Sequence, residues 1–212
     1  MSTKHTKTFK AFQNKHNLSY SNFFTFTNPK VLKNEKVSEI PTAILMLMNT
    51  PKACPAAGSC RSVCLITSGN PIYLANKIKC RIRRNNAFIN DYSIFLRYLV
   101  VNCFRHYAKN RTALKVGFRL NGVSDYAWED FSVKLTKEDT DYIQKAFNIY
   151  IEPIRYGSVI EAVQKAIDLN DNKLLRNSVQ FYDYSKRIDR NLKVSTINSE
   201  EDINILNKNN EF

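Results

Sequence analysis

Glycine and proline are scarce in this chain, five and six among 212 residues. They gather around one cysteine-bearing loop and a few turns, so chain breaks concentrate there. No apolar run approaches the ~20 residues that cross a bilayer, which excludes a membrane-spanning helix and predicts no membrane partner. The start, MSTKHTKTFKAFQNKHN, is basic, but no apolar stretch follows it. It therefore does not read as a secretory signal, and the expected location is a reducing cytoplasm. Acidic residues are outnumbered, 19 against 32 basic ones, giving a formal charge of +13. Nucleic acid, an anionic ligand or an acidic partner suit such a charge, as does a lysine-rich solvated surface, since no long basic run appears. The three histidines, His5, His16 and His106, form no pair at ligand spacing. No C-x2-C pair, internal repeat or low-complexity segment is present.

Hydrophobic residues make up 43% of the chain, enough for a packed interior. One domain is the economical reading. It comprises a basic and aromatic extension over 1–39, an α/β domain over 40–197 and a charged, Asn-rich tail over 198–212. The extension reads as a flexible start followed by irregular or short-strand chain that covers an edge or encloses the site. Ile40 to Met48, bounded by Pro41 and Asn49-Thr50-Pro51, predicts a buried strand. Helices follow from Pro71 to about Asn90 and from Ser93 to Lys109, the second with apolar positions dense enough for the core. Leu114 to Leu120 predicts a strand ending at Asn121-Gly122. Thr136 opens a capping box for a helix to Phe147. Ile149 to Ile154 predicts a strand, Ser158 to Leu169 a helix, and Val179 to Tyr184 a last strand. Alternating elements of this kind imply α/β with a mostly parallel sheet.

Four of the five cysteines lie between Thr50 and Arg84: Cys54, Cys60, Cys64 and Cys80. In a reducing compartment, thiols clustered at C-x5-C-x3-C spacing point to metal or redox chemistry rather than disulfides. Zinc is commonly held by C-x2-C knuckles. The wider gaps here suit a cubane iron–sulfur cluster, with zinc as the alternative metal. Cys80 is the candidate fourth ligand if its helix folds back beside the loop, while Cys103 reads as core packing. Lys77, Lys79, Arg81, Arg83 and Arg84 crowd the helix around Cys80. They serve either to neutralise an anionic cluster or to dock phosphates of a nucleic acid.

Three distinctive loops fall at the carboxyl ends of predicted strands, where α/β sheets place their chemistry. They are the cysteine loop, the stretch from Asn121 to Asp125, and Asp183 to Arg187. Asn121, Ser124, Asp125, Asp183 and Lys186 are thus candidate cofactor-binding residues. Read alone, Asn-Gly and Ser-Asp are also ordinary turn and cap chemistry, with Trp128 in the core. Asp183 beside Lys186 and Arg187 also reads as a plain ion-pair network. His106, on a core helix, reads as a satisfied structural histidine.

Taken together, CPAAGSCRSVCLITSGNP, KIKCRIRRNNAF, VGFRLNGVSDYAWE and FYDYSKR resemble a family of phage and plasmid proteins called gene product 88-like, over roughly residues 40–190. That family resembles a reduced radical S-adenosylmethionine barrel. The resemblance implies a partial, open parallel β/α barrel with a [4Fe–4S] cluster on Cys54, Cys60 and Cys64 after the first core strand. It implies residence in a host-cell cytoplasm. The C-x5-C-x3-C spacing departs from the C-x3-C-x2-C of radical S-adenosylmethionine enzymes, and no Gly-Gly-Glu strand is present. Four cysteine ligands would imply electron transfer or redox sensing with a redox partner protein. Three would leave an open iron for S-adenosylmethionine or a substrate, lined by Asn121, Asp125 and Asp183. The rival expectation is a nucleic-acid-binding protein in which the metal is a structural staple.

Overall fold

The computed structural model describes residues 4–26, 40–55, 64, 71–170 and 178–183. Its centre is a helix buried on almost every side, α4 (Tyr92–Lys109), following α3 (Pro71–Asn90) after a single residue, Asp91. Phe95, Leu96, Leu99, Val100, Cys103 and Phe104 are all buried, as the dense apolar positions predict. Around it stand α1 (Lys4–His16), α2 (Tyr20–Phe23), α5 (Lys137–Phe147) and α6 (Val159–Asn170).

Three parallel strands form the sheet: β1 (Thr42–Ile44), β2 (Lys115–Arg119) and β5 (Ser178–Phe181), in the order β1-β2-β5. Thr42 pairs with Gly117 and Ile44 with Arg119, while Lys115 pairs with Ser178 and Phe118 with Phe181. The mixed α/β class and the parallel sheet stand as expected. Among the described residues the sheet is three-stranded and does not close into a barrel. A separate antiparallel pair joins β3 (Val133–Lys134) to β4 (Arg155–Tyr156). None of the described helices is long and apolar enough to cross a membrane.

Two expectations need correction. The N-terminal stretch is helical, not irregular: Phe9, Phe12 and His16 recur at helical spacing and face inward. Phe9 and Phe12 each meet Tyr98 with ring centroids 5.4 Å apart. Charge on the other faces obscured this stripe in the sequence. The chain then returns to the sheet, where Thr25 bridges Ile44 antiparallel and covers the outer edge of β1.

Ile149 to Ile154 is not a strand. Its alternation is real, with Ile149 and Ile151 buried and Tyr150 exposed. Yet Tyr150 N–H donates to Asn170 Oδ1 at 2.8 Å, and Asn170 Nδ2 donates to Tyr150 O at 2.7 Å. One asparagine side chain supplies the hydrogen bonds a neighbouring strand would otherwise give. Only Arg155–Tyr156 beyond it pairs as a strand.

Local capping fixes the last helices. Thr136 Oγ1 accepts from Asp139 N–H, and Asp139 Oδ2 accepts from Thr136 N–H at 2.8 Å. Asn148 ends α5 in the left-handed region, φ 54°. Ser158 Oγ accepts from Glu161 N–H at 3.0 Å at the start of α6. Arg97 donates to both Asp139 carboxylate oxygens, at 2.7 and 2.9 Å, pinning α5 to α4.

Candidate functional site at the strand ends

Parallel strands leave their carboxyl ends together, so the described residues that follow them, 45–55, 120–127 and 182–183, start from one rim. Leu45 N–H continues the ladder to Arg119 O at 2.9 Å, and Gly122 N–H donates to Leu45 O at 2.8 Å. A Cβ on Gly122 would lie 2.6 Å from Met46 Cγ and 2.8 Å from Ile44 Cγ2. The glycine therefore lets the loop after β2 close directly onto the end of β1. Asp125 N–H donates to Ala53 O at 2.9 Å, and the Cys54 thiol lies 3.9 Å from Val123 O. Cys54 is presented by a turn in which Thr50 O accepts from both Ala53 and Cys54 N–H.

Asn121 is the hub beneath that rim. It is 1% exposed, and its Oδ1 accepts from Ser124 Oγ, Tyr126 N–H and Trp128 Nε1 at 2.9 to 3.0 Å. Its Nδ2 donates to Tyr126 O at 2.8 Å and to the Asp183 carboxylate at the end of β5. The donors on one side and acceptors on the other fix the amide's orientation. Asn121, Ser124 and Asp183 thus come together, with Asp125 7% exposed nearby. The Asn121 amide is fully engaged within the chain, so it positions the loop instead of offering a hand to a ligand. Trp128, read as plain core, is a member of this network.

Cys54, Cys64 and Cys80 are each half-buried. Asn49 Nδ2 donates to Cys64 Sγ at 3.0 Å. Asn49 was legible only as part of a turn signal. The basic residues of α3 differ in burial. Lys77 and Lys79 are exposed and Arg83 is intermediate, whereas Arg81 and Arg84 are 6% and 5% exposed. Arg84 donates to Met46 O at 2.7 Å and to Asn22 O at 2.9 Å. Arg81 Nη2 approaches Met46 Sδ at 4.0 Å.

Burial brings the Arg84 guanidinium down to about 10, opposed by the nearby Cys80 and reinforced by Arg81. Burial also lowers Arg81, with Cys64 opposing. The Tyr126 phenol is raised by burial, against a hydrogen bond from Thr50, and Cys54 adds to the rise. Among the described residues Arg84 has backbone carbonyls as its partners and no carboxylate.

Half-buried thiols of Cys54, Cys64 and Cys80 and the buried guanidinium groups of Arg81 and Arg84 thus share this end of the sheet. Among the described residues no three His, Cys, Asp or Glu side chains stand close enough to hold a metal ion. Cys60, the middle thiol of the loop, and Lys186 lie outside the described residues. Cys103 is fully buried in α4, and burial pushes its thiol far up, as suits a packing residue. His106 is buried as expected, with Nε2 3.3 Å from Pro41 O.

Comparison with known proteins adds one positive finding. The family model described as Gene product 88 matches residues 5–202. No curated protein and no solved structure matches.

Proposed function

The chain belongs to the gene product 88 family, and from the thiols and buried arginines at its strand ends we propose that it binds a [4Fe–4S] cluster. Cys54, Cys60 and Cys64 are the ligands of the loop, and Cys80 of α3 is the fourth. One observation carries this reading: Arg84, 5% exposed and without a carboxylate among the described residues, lies beside Cys80. A buried unneutralised cation is costly, and a nearby anionic group offsets that cost. When bound, the cluster supplies one-electron transfer. Arg81 and Arg84 hold positive charge against it, Asn49 orients Cys64, and the Asn121–Asp183 network fixes the loop that backs Cys54.

The three-stranded sheet corresponds, in this reading, to the first part of an open radical S-adenosylmethionine-type barrel. With Cys80 bound, the role is electron transfer or redox sensing in the host cytoplasm of a phage or mobile element. With Cys80 unbound, an open iron takes S-adenosylmethionine or another small ligand.

The test is anaerobic purification followed by iron and sulfide analysis. A brown protein absorbing near about 400 nm, with about four iron and four sulfide per chain, is expected. Cys60→Ser and Cys64→Ser should each abolish it. A colourless, zinc-loaded chain would sink the proposal. Cys80→Ser separates the two roles: loss of the cluster argues for four protein ligands, and retention with new affinity for S-adenosylmethionine argues for three.

A second reading rests on the exposed basic residues of α3. Lys77 is exposed one turn from Tyr73, itself 58% exposed, and Lys79 is exposed one turn from Ile82, 41% exposed. Basic side chains interleaved with an aromatic ring suit a nucleic-acid backbone and its bases. If this helix binds DNA or RNA through both lysines, Lys77→Gln with Lys79→Gln should lower the slope of log affinity against log salt by about 2. A flat salt response in the parent chain would remove this reading.

A further inference from the structure

A groove lies away from the thiol rim, between α1, α4 and α5. It is partly open to solvent, has a volume of about 200 Å³ and is lined, among the described residues, by Phe9, Lys10, Gln13, Tyr98, Val101, Arg105 and Tyr142. That exceeds the roughly 150 Å³ known to admit a single benzene ring. The lining has two parts. Phe9, Tyr98 and Val101 are buried and form an apolar floor. Lys10 and Arg105 bring two positive charges to the wall, and no described lining residue is acidic.

Arg105 decides the sign of the ligand. It is half-buried, and the partners seen for it are neutral: the Tyr142 hydroxyl at 3.2 Å and the Tyr20 ring at 5.3 Å. Among the described residues it has no carboxylate partner. Lys10 is exposed and its stem can swing over the opening. Gln13 Nε2 donates to Tyr98 Oη at 2.7 Å, which fixes both side chains and keeps the floor rigid. The rings supply flat apolar contact, and the guanidinium supplies a fork suited to two anionic oxygens.

The geometry points to a second binding site, independent of the thiol rim, for a small aromatic anion. Its ring lies on Phe9, Tyr98 and Val101, and its carboxylate or phosphate meets Arg105 and Lys10. Isothermal titration of the full chain with phenyl phosphate, benzoate, inorganic phosphate and benzyl alcohol tests this. At least one of the two aromatic anions should bind saturably with Kd of about 1 mM or better, a reasonable affinity for so few atoms. It should bind at least about tenfold more tightly than either inorganic phosphate or benzyl alcohol. The better of the two identifies the head group. Arg105→Gln should weaken it about tenfold, and Lys10→Gln, at an exposed position, severalfold. Each variant's urea midpoint confirms that it folds. Absence of saturable binding by both aromatic anions would overturn the proposal. So would equal binding of inorganic phosphate or benzyl alcohol, or an Arg105→Gln chain that folds and binds unchanged.

Discussion

His106 shows how the fold can dictate the charge of one side chain. Its ring stacks on Phe26 at 5.3 Å and meets Phe118 edge-on at 5.4 Å. Burial drives its pKa from 6.5 to about 4, opposed by the bond to Pro41 O and aided by Lys109. The folded chain therefore holds it neutral while the unfolded chain protonates it below its ordinary value. The stability it contributes is complete above about 6.5 and falls as pH drops toward 4, by about 3 kcal/mol over that window. Urea midpoints between pH 7 and 4 should show this loss, and His106→Phe, which keeps an aromatic ring in that place, should flatten its share of the curve. Equal slopes in both chains would mean that other groups control acid sensitivity. Asn121 carries a second residue-scale expectation. Asn121→Asp replaces an amide donor with a carboxylate facing Asp183 and leaves Tyr126 O without that donor. A loss of about 2–3 kcal/mol in urea denaturation is expected, larger at pH 7 than at pH 5 because both carboxylates must then be charged.

Among the elements, the contact between the end of β1 and the loop after β2 depends on one missing methyl group. Gly122→Ala would push Met46, Ile44 and the Leu45 carbonyl, the last at 3.1 Å, and strain the 2.8 Å bond from Gly122 N–H. It should cost about 1–3 kcal/mol. Gly157→Ala is the comparison: the near neighbour there is Glu161 Oε2, the far end of a flexible side chain, and the cost should be well under half as large. Equal urea midpoints for the two variants would show that the strand ends separate freely. Element by element, the sequence was readable where periodicity and caps agreed. The capping box at Thr136 and the dense apolar run of α4 located their helices closely. The short strands were readable as parallel because helices separate them. Asn121-Gly122 was readable as a turn, but its purpose was not: neither the Met46 contact nor the link to Asp183 has a local signal. The burial of Arg81 and Arg84 was equally invisible, since spacing places 77, 81 and 84 on one face without saying how much of it is covered.

For the molecule as a whole, Arg84 joins three segments that are distant in sequence. It reaches from α3 to Asn22 at the end of α2 and to Met46 beyond β1, while its charge lies beside Cys80. The charge and the hydrogen bonds have different consequences, and two variants separate them. Arg84→Lys keeps the positive charge but cannot reproduce the guanidinium fork, so it removes at least one of the two ties. Arg84→Gln retains a donor for one carbonyl but removes the charge. Both should lower the urea midpoint of the metal-free chain, because a buried carbonyl loses its donor in each, at about 1–3 kcal/mol. They should diverge once the chain is reconstituted anaerobically with iron and sulfide. A ligand that binds only the folded state adds stability in proportion to its affinity, so the gain on reconstitution measures how well the site still holds its anion. That gain should largely survive in Arg84→Lys and shrink in Arg84→Gln, with iron retention during gel filtration following the same order. Equal gains in the two variants would reduce Arg84 to a structural tie between α3, α2 and the end of β1. The positive charge buried at the strand ends would then be unrelated to any metal centre there.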